Sequence, residues 1–207
     1  MTTLLDAARI AELCTATPEG LAVEVVASTG STNADLRQRT DSLRTPLLLA
    51  AEEQTAGRGR AGRTWRAAPG DSLCFSIAWP FRGPVTRLAG LPLAVGVALA
   101  DALRTGGHRV TLKWPNDLLF DGAKLGGILV ETGSSRSDPS TLWAVIGVGL
   151  NVHAKRGRDE AVDAEVDALG TDIDRNALLA TLAVALAGAL AQFDDQGLAP
   201  FADRWQR

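Results

Sequence analysis

The sequence predicts an α+β domain, a mixed and mainly antiparallel sheet packed against helices that are expected on one side of it. Strand-like runs crowd the middle of the chain, helical patterns flank them, and the regular alternation of a doubly wound parallel sheet is absent. No internal repeat or low-complexity linker divides the 207 residues, so one domain over residues 1–207 is expected. With 46% hydrophobic and 22% charged residues, the chain has globular composition and can bury a sizeable core.

Taken in order, the first twenty residues mix Asp6, Arg9 and Glu12 into an amphipathic helical pattern and lack the basic start and apolar block of an export signal. Residues 21–26 read as a strand, and residues 28–33 turn into a helix over 34–39 that the hydroxyl of Ser31 or Thr32 can cap. Residues 47–53 are an apolar run suited to a buried strand, and 72–79 form another, ended by Pro80. A long helix over 87–104 is broken by Gly106-Gly107, and 110–114 returns to strand. Residues 118–120 and 125–131 flank Asp121-Gly122, a turn pair that favours a β-hairpin, and 142–152 follows as a strand. Residues 153–170 read as a polar loop, and 172–194 and 198–205 as helices, with Asp174 or Asn176 at the start. The apolar stretches 88–103 and 177–191 fall short of the ~18 uninterrupted residues of a membrane span and read as core helices, so no membrane partner is expected.

A formal charge of −3 argues against general nucleic-acid binding, which draws on surplus Lys and Arg. Cys14 and Cys74 stand alone, without a CxxC pair or a neighbouring histidine, so neither a disulfide framework nor a zinc site is indicated and a reducing cytoplasm is expected.

Against that background one segment departs sharply. Gly57-Arg58-Gly59-Arg60-Ala61-Gly62-Arg63-Thr64-Trp65-Arg66 places four arginines, three glycines and a tryptophan in ten positions. Glycines let the backbone turn tightly and approach a ligand, and guanidinium forks match carboxylate and phosphate oxygens. The spacing Gly57-x-Gly59-x-x-Gly62 fits a dinucleotide fingerprint, but the context does not: Pro69-Gly70 and a strand follow where a helix should open. A Walker loop and a Gly-x-Ser-x-Gly elbow are missing, and the two histidines, His108 and His153, stand alone as candidate bases. The plainer reading of the loop is a solvated surface turn, which the density of arginines beside Trp65 disfavours.

Three further pieces point the same way. Lys113-Trp114-Pro115-Asn116-Asp117 puts a cation, an aromatic ring, an amide and a carboxylate at a strand end, although Trp114 packing in the core and a turn cap at Asn116 would leave the same pattern. Lys124-Leu125-Gly126-Gly127 opens a strand with paired glycines, which weaken a strand unless a backbone or ligand comes close. Gly147-Val148-Gly149-Leu150-Asn151 repeats the theme, with crowding between strands as its ordinary alternative. Backbone access, several cations and no obvious protein nucleophile fit nucleotidyl transfer, where substrates react and the protein supplies position and charge.

In this order the pieces resemble the biotin protein ligase family, over Ser31-Thr32-Asn33, Gln54, residues 57–65, 113–118, 124–131 and 147–151. The resemblance implies a catalytic domain like those of class II aminoacyl-tRNA synthetases and biotin ligases. It implies that biotin and ATP, with Mg²⁺, give biotinyl-5′-AMP, from which biotin passes to a lysine of a biotin carboxyl carrier protein. Biotin would then meet Ser31, Thr32, Asn33, Gln54, Gly57, Arg58, Gly59, Arg60, Lys124 and Gly127. ATP would meet Arg60, Arg63, Trp65, Lys113, Asn116, Asp117, Lys124 and Asn151. Lys124 and Arg60 would act in catalysis, Asp117 would hold Mg²⁺, and the arginine loop would close over the reactive adenylate to exclude water. The resemblance also implies a chain with no DNA partner, because the segment before Ser31 is too short for the winged helix some members carry, and one lacking the family's C-terminal SH3-like domain. A monomer or weak homodimer is expected. A lipoate or octanoate ligase or transferase of the same fold, and a non-catalytic biotin binder, are the alternatives.

Overall fold

The computed structural model describes residues 4–14, 20–65, 69–134, 138, 140–153, 157–159 and 164–205. Asp6 caps a first helix, α1 (Ala7–Leu13), by accepting the amides of Ala8 and Arg9. Strand β1 (Ala22–Thr29) leads into α2 (Thr32–Arg39), then come β2 (Leu47–Gln54) and β3 (Ser72–Arg82). Helix α3 (Leu91–Thr105) precedes β4 (Val110–Lys113), β5 (Asp117–Phe120), β6 (Ala123–Ser134) and β7 (Thr141–Asn151). Two short strands, β8 (Gly157–Asp159) and β9 (Ala164–Val166), and two helices, α4 (Arg175–Gln196) and α5 (Ala199–Trp205), complete the order.

The main sheet runs β1-β2-β3-β7-β6-β5-β4, with β9 bridging to β6. β1 and β2 are parallel, joined through α2, and the pairings from β2 to β4 are antiparallel. The hairpin between β5 and β6 turns on Asp121 (φ 47°) and Gly122 (φ 85°), the two positive φ values a type I′ turn needs. Alternation along β3 sends Leu73, Phe75 and Ile77 to one face, where they join Leu91, Val95 and Leu99 of α3 and Leu182, Leu186 and Leu190 of α4 in the main core. Each such side chain contributes about 1.5–3 kcal/mol by leaving water. The segment Val85–Thr105, which ends in α3, and α4 satisfy the length and apolarity of a membrane span, but α3 and α4 pack on each other and on the sheet.

Buried Arg175 stands at the first turn of α4, where the helix dipole disfavours a cation. Glu52 of β2 offsets this by taking both guanidinium nitrogens, at 2.9 and 3.1 Å, and Ser72 of β3 accepts a further bond at 3.3 Å. One side chain thus ties α4 to two strands.

Several expectations need correction. The helices do not keep to one side: α2 packs on the opposite face, where Leu36 meets Leu47, Leu49, Ala78, Trp143 and Val145. Its start is Thr32, with Ser31 as the cap. β3 runs through Pro80, which lies past its last pairing with β2 at Ala78, on an open edge that tolerates a missing amide. The long helix begins at Leu91, because Gly90 (φ 88°) separates it from a single 3-10 turn at Val85–Leu88. The polar segment 153–170 contains β8 and β9, held by the bridge from Val166 to Lys124.

Candidate active site

On the α2 side the sheet is only partly covered, and its open part floors a cavity of about 470 Å³. Gly127 of β6 lies opposite Gly149 of β7, and Gly147 lies opposite Leu129. At Gly147 and Gly149 neighbours occupy the space of a side chain, whereas a Cβ on Gly127 would find nothing closer than 3.8 Å. A Cβ on Gly149 would collide with the Trp65 indole, and one on Gly147 with the Asn33 amide.

The parallel pairing of β1 with β2 aligns Thr29 with Gln54, so the segments leaving both strands emerge side by side. Amides of Thr55 and Ala56 bond the carbonyls of Thr29 and Gly30, each at 2.9 Å, and lock the two exits together. A polar shelf results. Ser31 Oγ caps α2 by accepting the Ala34 amide at 3.5 Å, and the Thr32 amide donates to Gln54 Oε1 at 2.9 Å. Thr32 Oγ1 lies 2.7 Å from Ser76 Oγ, which bonds Asn33 Oδ1 at 2.7 Å. Asn33 Nδ2 donates to Glu131 Oε2 at 2.9 Å and to the Leu129 carbonyl at 3.3 Å. Glu131 is also paired with Arg37 at 2.8 Å and faces Arg58 at 3.8 Å.

The arginine loop is a small closed hairpin. Arg58 and Thr64 form an antiparallel bridge, Trp65 N bonds Gly57 O at 2.9 Å, and Gly59 N bonds Arg63 O at 2.7 Å. Its tip turns through Arg60–Gly62, with Ala61 and Gly62 at φ 54° and 75°, which excludes the helix a dinucleotide fingerprint requires. Gly57 is not among the residues lining the cavity. A Cβ there would stand 2.5 Å from the Trp65 carbonyl, so this glycine closes the loop.

Across the cavity, half-buried Lys124 points its Nζ at Asp117 Oδ1, 3.2 Å away. β9 braces that corner, with Asp167 N donating to Lys124 O at 3.0 Å and Asn151 Nδ2 to Asp167 O at 3.2 Å. Asn116 spends its amide group on Ile128 O at 2.8 Å and accepts the Ile128 amide at 3.0 Å, so it fastens the 114–116 turn to β6. The Trp114–Pro115 peptide in that turn is cis, and Trp114 is 74% exposed rather than part of the core.

The cavity therefore gathers Ser31, Thr32, Asn33, Gln54, Arg58, Gly59, Arg60, Arg63, Trp65, Lys113, Asn116, Asp117, Lys124, Gly127 and Asn151. The cavity wall also includes Asp71, Ser72, Phe75, Ser76 and Val166, none of which stands out in the sequence. Ser76 sits in an apolar strand, where a serine looks like filler, and Val166 lies within the segment taken for a loop. In the sequence Glu131 is simply the last residue of the predicted strand 125–131. Among the described residues no three His, Cys, Asp or Glu side chains cluster as a metal site, and the two cysteines are unpaired. Burial holds the Cys74 thiol above its usual range, with Trp65 and Gln54 beside it, which keeps it neutral beneath the tryptophan and unsuited to act as a nucleophile. His153 bridges Gly70 O and Ile173 O at 3.1 and 3.0 Å, and His108 packs edge-on to Phe120. Chemically the cavity offers donors and acceptors at one end, cations along the other and a floor with almost no side chains.

Residues 23–151 match the model of the biotin/lipoate A/B protein ligase family. The chain is 38% identical over 194 residues to the bifunctional ligase/repressor BirA of Escherichia coli, covering 91% of this chain and 60% of that protein. It is 34% identical over 193 residues to the biotin–[acetyl-CoA-carboxylase] ligase of Paracoccus denitrificans, covering 87% of this chain and 78% of the relative. The biotin protein ligase of Aquifex aeolicus, solved in complex with biotin and ATP, superposes with a TM-score of 0.71 at 28% identity, over 88% of this chain and 76% of that one. The matched span takes in the shelf, the arginine loop, Lys124 and the glycine floor together, and the chain belongs to the biotin/lipoate A/B protein ligase family.

Proposed function

We propose that this chain is the catalytic part of an ATP-dependent biotin protein ligase. The observation that carries the reading is the single cavity in which the Ser31–Gln54 shelf and the arginine loop face the Lys124–Asp117 pair. Ser31, Thr32 and Gln54 suit a neutral cyclic urea, which needs both donors and acceptors inside an otherwise apolar pocket. Arg58 and Arg60 would bring the biotin carboxylate to the α-phosphate of ATP, with Arg63 and Lys113 on the phosphates and Trp65 and Asn151 near the base and ribose.

In the first step a carboxylate oxygen forms a bond to the α-phosphorus as the bond to pyrophosphate breaks. Lys124 lies where it can stabilise the charge gathering on the phosphoryl oxygens. In the second step the ε-amine of a carrier lysine attacks the acyl carbon, AMP leaves, and the amine loses a proton as the amide forms. Mg²⁺ generally binds through one or two carboxylates plus substrate phosphates. Asp117 fits that pattern as the carboxylate beside Lys124 in the cavity, and Mg²⁺ held there would neutralise charge on the leaving pyrophosphate. The partner would be the biotin carboxyl carrier domain of a carboxylase, and the place of action the cytoplasm.

The discriminating experiment is exchange of labelled pyrophosphate into ATP. Exchange that depends on biotin is expected. Exchange with lipoate alone would favour the lipoate branch of the family, and none with either would favour a binder without catalysis.

A further inference from the structure

We infer that Ser76, Asn33 and Glu131 act as positioning residues that fix Thr32 as a hydrogen-bond acceptor toward the ligand; this rests on the biotin reading above. The orientation of the Asn33 amide is fixed by its neighbours. Its two ends face different groups: one lies 2.9 Å from Glu131 Oε2 and 3.3 Å from the Leu129 carbonyl, the other 2.7 Å from Ser76 Oγ. The first two neighbours only accept, so the nitrogen must face them, and Oδ1 must face Ser76. Ser76 has one proton, and it goes to Asn33 Oδ1, which cannot donate in return.

The next contact is then settled. Thr32 Oγ1 and Ser76 Oγ are 2.7 Å apart, and with the Ser76 proton already committed, Thr32 must donate across that gap. Thr32 also has one proton. Its 3.2 Å approach to Gln54 Oε1 is therefore left without a hydrogen, and that oxygen is satisfied by the Thr32 amide at 2.9 Å. What Thr32 shows the cavity is a lone pair. Ser31 does the opposite: its Oγ accepts the Ala34 amide and keeps its own proton for the cavity. Adjacent residues thus present a donor and an acceptor, the complement of a C=O beside an N–H.

The relay is anchored at its far end by charge. Glu131 is held by Arg37, and Ser76 is wholly buried, so water cannot reorient the serine hydroxyl. Removing the serine hydroxyl releases the Thr32 proton toward Gln54 and lets the threonine rotate between donor and acceptor roles.

The test is a double-mutant cycle on biotin affinity, measured by calorimetry without ATP, for wild type, Ser76→Ala, Thr32→Val and the double variant. Ser76→Ala is expected to weaken biotin binding about 5- to 10-fold, the scale of one neutral hydrogen bond. Because Ser76 acts through Thr32, the double variant should bind within about twofold of Thr32→Val. The KM for ATP and the exchange rate at saturating biotin should hold within about twofold in Ser76→Ala, which a general loosening of the site would not allow. Should Ser76→Ala fail to fold, Ser76→Cys paired with Thr32→Val completes the cycle at the same position, because a thiol is a weak donor to Asn33 and a weak acceptor for Thr32. Losses that multiply in a wild type that binds biotin would overturn the relay alone. A wild type that binds no biotin would overturn the functional reading and the relay with it.

Discussion

Lys124 is placed by two strands and a neighbouring segment at once. β6 carries it, β5 supplies Asp117 at 3.2 Å, and the segment after β9 takes its carbonyl. Lys124→Ala is expected to leave the fold intact and to lower biotin-dependent pyrophosphate exchange by ~10²–10³, the scale for one preorganised electrostatic donor; an unaltered rate would remove it from the mechanism. The glycine floor is as specific in its demands. Gly147→Ala sets a methyl against the Asn33 amide, and a loss of about 1–3 kcal/mol of unfolding free energy, measured by urea denaturation, is expected, with weakened biotin binding from the displaced shelf. Lys124, the arginines and the paired glycines were readable in the sequence because such residues rarely sit in buried strands without cause. Ser76 was not readable, since its meaning lies in contacts with residues 43 and 44 positions away.

At the scale of elements, the hairpin at Asp121-Gly122 and the two apolar helices followed from local rules, whereas the side on which each helix packs did not. α2 has one wholly buried leucine, Leu36, and its other buried residues, Thr32 and Asn33, are polar. That leaves no apolar stripe from which its face can be read, and its position follows from the right-handed crossover between parallel strands. The break at Gly90 and the persistence of β3 through Pro80 are likewise tertiary decisions. For α4 the decisive link is Arg175 to Glu52. Arg175→Met should cost about 3–5 kcal/mol by stranding a buried carboxylate, while changing Glu52 to an apolar residue in the same protein should restore much of it. Chemical denaturation of the three proteins checks both.

The whole molecule carries 24 acidic and 21 basic residues, yet Arg58, Arg60, Arg63, Lys113 and Lys124 converge on one cavity. A net negative body with a local positive basin selects small polyanions over long nucleic acids. Raising salt from 0.05 to 0.5 M, a range chosen because it shrinks the screening length from roughly 14 to 4 Å, should raise the KM for ATP several-fold more than that for biotin, which has one charge. Equal salt dependence would mean that the basin does not act on phosphate. The parallel β1–β2 pair has a consequence of a different kind, for how this chain tolerates change in length. It works as a vernier between the two halves of the shelf: sliding it by one residue parts Thr32 from Gln54 and turns every side chain of the slipped strand over. Insertions are therefore harmless in the connection at 41–46 and disabling inside either strand, so the reading frame of fewer than twenty residues sets the width of the ligand's berth.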